Sequence, residues 1–187
     1  MRLTADDLLD MDVPEHLRGY ELVDGELVEV SLPSPPHGRL VARIAHLLLD
    51  HVEAHGVRGD VYGAAGYVLG LRHDPERLRG PDVSYVSEAT LHAHGGEPAR
   101  GWFSLAADLM VEIDSPGRKP AVERQRIRDY LEAGVRLIWV IHTNTRSVTV
   151  YHGDGSVQRL GTGDTVVGDP VLPGLRLPLI RLFPESS

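Results

Sequence analysis

The 187-residue chain contains no cysteine. Disulfides and thiolate metal sites are therefore excluded, and any metal must be held by carboxylates or imidazoles; a cytoplasmic location fits this composition. Long apolar runs are missing too. Nothing approaches the roughly 20 residues needed to cross a bilayer, so no membrane span is expected. The opening segment, Met1 to Asp7, has neither an apolar core nor a cleavage site, and no signal peptide is expected. Positive charge is also short. A net charge of −8 and an isoelectric point near 5.6 argue against a protein that coats nucleic acid by bulk electrostatics. Contact with nucleic acid would have to rest on local patches such as Arg118-Lys119 and Arg124-Gln125-Arg126-Ile127-Arg128.

What is present is a globular composition, 42% apolar, at a length that favours one domain spanning residues 1–187. Thr4 and Asp7 form a capping-box pattern before a short helix over Ala5 to Met11. Two β-prone runs, Tyr20–Val23 and Glu26–Val30, flank Asp24-Gly25 and predict a hairpin with a type I′ turn. Ser34-Pro35-Pro36 reads as an abrupt break. From His37 to His55 the apolar residues Leu40, Val41, Ile44, Leu47, Leu48 and Val52 share one helical face, with Gly56 as the stop. One or two strands are expected over Val57 to Leu71, a polar loop over His73 to Arg79, and a strand entered through Pro81-Asp82. A helical turn is expected near Glu88 to His92. Leu109, Val111 and Ile113 alternate with Asp108, Met110, Glu112 and Asp114 along a further strand. A helix over Ala121 to Ala133 closes at Gly134. Leu137–Ile141 reads as a strand covered on both faces, and Ser147–Tyr151 as its antiparallel neighbour. The order describes an α/β (α+β) mixed sheet flanked by helices.

Asp82 opens one predicted strand and Glu112 lies near the end of another, with Asp114 on the same face as Glu112. Acidic side chains beside a central apolar strand are costly unless something binds them, and a hard divalent cation would do so. The alternative on spacing alone is that Asp82 caps a turn and Glu112 lies at a solvated strand end. His51 and His55 stand one helical turn apart, without a metal-binding motif around them, and read as helix surface.

Several ordered pieces resemble the Uma family of restriction endonucleases, a bacterial group in the PD-(D/E)XK nuclease superfamily. They are Tyr20–Glu26, Ser34-Pro35-Pro36-His37, Pro81-Asp82-Val83, Asp108–Ile113 with Ser115-Pro116-Gly117, Tyr130–Val135, the Trp139 strand and Leu172–Leu175. The resemblance implies a restriction-endonuclease-like core, preceded by a β-hairpin and long helix, in which Asp82 and Glu112 hold Mg²⁺ (or Mn²⁺). It also implies a cation four residues before Tyr130. The family pattern has lysine there; this chain has Arg126. An arginine can neutralise transition-state charge but cannot act as a general base. Lys119 reads first as a solvated loop residue and second as a substitute. Glu21 and Glu26 both match family positions; Glu21 reads equally as a residue that could approach the metal and as a hairpin flank, and Glu26 reads as a hairpin flank. His37 has a capping or packing reading at least as strong as substrate contact.

The resemblance therefore implies a Mg²⁺-dependent endonuclease acting on DNA, with Asp82, Glu112 and Arg126 as catalytic residues and a homodimer as one assembly. The competing reading is a nuclease-like module without turnover that binds nucleic acid or a protein partner, favoured by the missing lysine. The first reading expects Asp82 and Glu112 to face one another in a concave site, with Asp114 nearby.

Overall fold

A computed structural model describes residues 2–11, 19–30, 33–114 and 119–183. Thr4 caps helix α1 (Ala5–Asp10) through the expected reciprocal pair with Asp7. Strands β1 (Tyr20–Val23) and β2 (Glu26–Glu29) follow. The positive φ angles of Asp24 (54°) and Gly25 (76°) are those of a type I′ turn. Helix α2 runs Pro35–His55. Ser34-Pro35-Pro36 is thus its beginning rather than a break: Ser34 is the N-cap, and proline suits a first turn whose N–H groups lack intrahelical partners.

Strands β3 (Gly59–Gly63), β4 (Tyr67–Val68), β5 (Leu78–Arg79) and β6 (Val83–Ser87) come next, followed by the short helix α3 (Glu88–Ala93) and strand β7 (Leu109–Ile113). Helix α4 (Pro120–Ala133) joins β7 to β8 (Leu137–His142), and β9 (Ser147–His152), β10 (Val157–Leu160), β11 (Thr165–Val167) and β12 (Arg176–Pro178) complete the chain.

The main sheet has the order β10-β9-β8-β7-β6-β3. Only the β7–β8 pair in it is parallel, which is why the connection needs a crossover helix. Leu109, Val111, Ile113, Leu137, Trp139 and Ile141 bury one face against α2 and the C-terminal segment. Met110, Ile138 and Val140 bury the other with Ile127 and Tyr130 of α4. Both faces of β8 are covered, as its apolar run predicts.

A second sheet, β2-β1-β5-β4, stands beside the first. Leu22 pairs with Leu78 and shares a small core with Leu8. This corrects the expectation of a polar loop over His73 to Arg79. Asp74, Arg77 and Arg79 are buried: Arg79 of β5 reaches Glu21 of β1 and Asp129 of α4, and Arg77 joins Asp129 to Asp74. His51 is another correction: it is buried, and its Nε2–H donates to the Pro173 carbonyl at 3.1 Å. Among the described residues no helix is long and apolar enough to cross a membrane.

Candidate active site

Asp82 stands one residue before β6. Its backbone N–H donates to Val111 O at 3.1 Å, and Val83 pairs with Val111. The Asp82 side chain turns back into the ladder: Oδ2 accepts the Ile113 N–H at 2.7 Å, and Oδ1 meets His37 Nε2 at 2.8 Å. His37 is held for this contact because Ser34 Oγ accepts its backbone N–H at 3.4 Å and fixes the first turn of α2. One carboxylate therefore ties the start of β6, the end of β7 and the N-terminus of α2.

Glu112 is 1% exposed and points to the α4 side. The Tyr130 hydroxyl donates to its Oε1 at 2.6 Å, and Arg126 Nη1 donates to the same oxygen at 3.1 Å. Four residues apart, Arg126 and Tyr130 lie on one face of α4. Burial raises the Tyr130 hydroxyl pKa well above its ordinary 10.0, and Glu112 raises it further, so it stays a donor.

Glu21 is the third carboxylate. Arg126 clamps it at two points, Nη1 to Oε1 at 2.6 Å and Nη2 to Oε2 at 2.8 Å. Arg79 Nη1 donates to Oε2 at 2.8 Å and the Gly80 N–H to Oε1 at 3.0 Å. Burial would raise the Glu21 pKa, but Arg126 and Arg79 reverse that and hold it below its ordinary value. Burial likewise opposes the Arg126 charge, and Glu112, Tyr130 and Glu21 more than restore it, leaving its pKa raised well above the ordinary arginine value. The network continues through Asp129, which accepts from Arg79 Nε at 3.0 Å and Arg77 Nη1 at 3.3 Å. Arg77 also pairs with Asp74 at 2.8 Å.

Tyr20, Glu21, His37, Arg79, Asp82 and Trp102 help line a cleft of about 270 Å³. Asp82 and Glu21 thus border an opening, whereas neither Glu112 nor Arg126 lines it. Asp114 departs from the expected cluster: its Oδ1 accepts the Thr143 N–H at 2.8 Å and the Thr143 hydroxyl at 2.6 Å, which fastens it to the turn after β8. Lys119, the one lysine in the chain, is exposed at the N-cap of α4 and makes no side-chain cap bond. Glu26 is exposed, as a hairpin flank should be. Arg124 and Arg128 are exposed as well. Ser115-Pro116-Gly117 and Arg118 lie outside the described residues.

Among the described residues no three histidine, aspartate or glutamate side chains gather closely enough to hold an ion. Asp82 is committed to His37 and Ile113, while Glu21 and Glu112 are bridged by a guanidinium. As these side chains stand, they do not fit Mg²⁺ or Mn²⁺. Arg79 and Asp129 were missed in the sequence, where the strand-like alternation Arg77-Leu78-Arg79 is the one signal that could have pointed to them.

The Uma2 family model, described as "Putative restriction endonuclease", matches residues 5–180. The chain belongs to the Uma2 family. No curated protein matches it. Among solved structures, this Uma2 chain is similar to one described as "a putative nuclease belonging to DUF820" from Anabaena variabilis ATCC 29413. The TM-score is 0.79 over 97% of this chain and 97% of that one, at 19% identity. At that identity the likeness carries the fold, a restriction-endonuclease-like mixed sheet flanked by helices.

Proposed function

We propose that this Uma2 chain is a DNA endonuclease that hydrolyses phosphodiester bonds at the cleft bordered by Glu21, His37 and Asp82. The observation that carries this reading is the meeting of Glu21, His37 and Asp82 at one cleft, with the Arg126 cation bridging Glu21 to Glu112 behind it. Carboxylates beside a preorganised cation are the equipment that phosphoryl transfer draws on. In this reading Arg126 holds Glu21, which lines the cleft, against Glu112, and Tyr130 keeps Glu112 in place. Arginine cannot take up the proton of an attacking water. His37 lines the cleft, oriented by Asp82.

A second reading, a module that binds nucleic acid or a protein without cutting, is favoured by one observation. Arg126 already neutralises Glu21 and Glu112 deep in the fold. One experiment separates the two readings. Supercoiled plasmid and linear duplex DNA are incubated with wild type and Asp82→Asn, in Mg²⁺, Mn²⁺ or EDTA, and nicking and retention are both scored. The endonuclease reading expects nicking by wild type that falls at least about 10²-fold in Asp82→Asn. Retention of DNA with no nicking under any condition supports the module. Neither nicking nor retention removes DNA as the substrate.

A further inference from the structure

We propose that Arg126 is a built-in counter-ion that occupies the place a divalent cation would need between Glu21 and Glu112, so that the wild-type chain excludes the metal and removal of the guanidinium admits it. The inference rests on reading this cleft as a nuclease site and concerns its ion rather than its turnover.

The geometry is that of a bridging cation. Nη1 lies 2.6 Å from Glu21 Oε1 and 3.1 Å from Glu112 Oε1, so a single nitrogen joins carboxylates from β1 and β7. Mg²⁺ binds oxygen at about 2.0–2.1 Å. The two carboxylates are therefore spread wider than one ion would hold them, and they can close only if the guanidinium leaves. Arg126 is 4% exposed, and Tyr130 occupies the same Glu112 oxygen, which leaves an incoming ion no free approach from the α4 side.

Charge balance points the same way. Arg126 pairs with both Glu21 and Glu112, while Arg79 divides its charge between Glu21 and Asp129. A dication added beside them would stand against the buried Arg126 guanidinium, and that repulsion opposes its entry. With Arg126 gone, the remaining set carries a net negative charge that a dication would answer. A lysine could shed its proton to make way, because a buried ammonium titrates readily; the guanidinium cannot, and its acid form is stabilised further here. Asp82 takes no part in this lock. It is held by His37 and Ile113 at the cleft wall.

The test reads metal binding, by calorimetric titration of Mg²⁺ and Mn²⁺ and by melting temperature in each ion against EDTA, on the full chain. Wild type is expected to show no saturable binding in the millimolar range and an unmoved melting temperature. Arg126→Ala should melt lower than wild type in EDTA, bind Mn²⁺ at least about tenfold tighter and regain melting temperature with the ion. Glu112→Gln in the Arg126→Ala background should abolish the gain. Saturable Mn²⁺ binding by wild type as tight as that of Arg126→Ala overturns the proposal, as does a folded Arg126→Ala that gains no binding. Should Arg126→Ala fail to fold, Arg126→Lys keeps a positive charge in a smaller group. It should bind Mn²⁺ more tightly than wild type, and equal affinities would overturn the proposal. Because no outcome depends on cleavage, a protein that cuts nothing can still confirm the exclusion, and one that cuts can still refute it.

Discussion

Glu21 and Arg126, 105 residues apart in the chain, meet through two hydrogen bonds of 2.6 and 2.8 Å. That contact fastens the hairpin sheet to the helix that covers the main sheet. Removing one partner of a buried pair leaves the other charge uncompensated, at a cost of roughly 3–5 kcal/mol. Glu21→Ala is therefore expected to lose stability of that order, read from urea denaturation at neutral pH. A loss below about 1 kcal/mol would assign the pair the modest weight of an exposed bridge.

Acid should attack the same contact. Against the effect of burial, Arg126 and Arg79 hold the Glu21 carboxyl below its ordinary 4.5. A carboxylate with a lowered folded-state pKa adds stability that is complete above the unfolded-state value. That stability disappears as pH falls through the lower folded-state value. The wild-type melting temperature should decline below about pH 4.5, and Glu21→Gln should flatten part of that decline while starting lower. An acid limb that is identical in the variant would assign the titration to other groups.

Asp82 offers a way to separate chemistry from folding. Asp82→Asn keeps an oxygen for the Ile113 N–H and should leave stability within about 1 kcal/mol of wild type while removing the negative charge. Asp82→Ala strands that N–H and the His37 ring, and should cost about 1–3 kcal/mol. Denaturation curves of the two variants decide. If Asp82→Asn is as unstable as Asp82→Ala, the charge itself is structural.

Gly66 makes a packing prediction. A Cβ at this position would lie 2.4 Å from Trp102 Cε3 and 2.9 Å from Cζ3. The Trp102 indole N–H donates to the Ala5 carbonyl at 3.1 Å and so ties down α1. Gly66→Ala should shift the ring and cost about 1–3 kcal/mol. The change should show as altered Trp102 fluorescence, with the buried Trp139 as an unmoved reference. An unchanged spectrum and melting temperature would mean that the ring has room to step aside.

Most elements were legible because their signals are local. Thr4 and Asp7, the Asp24-Gly25 turn and the glycines after α2 and α4 fix ends and turns within a few residues of chain. The alternation of Leu109, Val111 and Ile113 gave the two faces of β7 correctly. What could not be read was the set of partners assembled across the chain. Nothing near Asp114 announces Thr143, and nothing near Arg79 announces Asp129, 50 residues away. Arg126 was singled out through a family position, yet its burial between two carboxylates depends on the meeting of β1, β7 and α4. The sequence pattern also suggested a shared ion for Asp82 and Glu112. It could not reveal that the strand-end N–H of Ile113 and the His37 ring would hold one carboxylate while α4 held the other.

The parallel crossover has a kinetic and competitive meaning of its own. Because β7 leads through α4 into β8, Arg126 lies only 14 residues along the chain from Glu112. A group on so short a tether is presented to its partner at an effective concentration in the millimolar range or above, and a helix that is already docked spends none of its time searching. Any freely diffusing cation in the surrounding solution is a dilute rival to a charge that never leaves the neighbourhood.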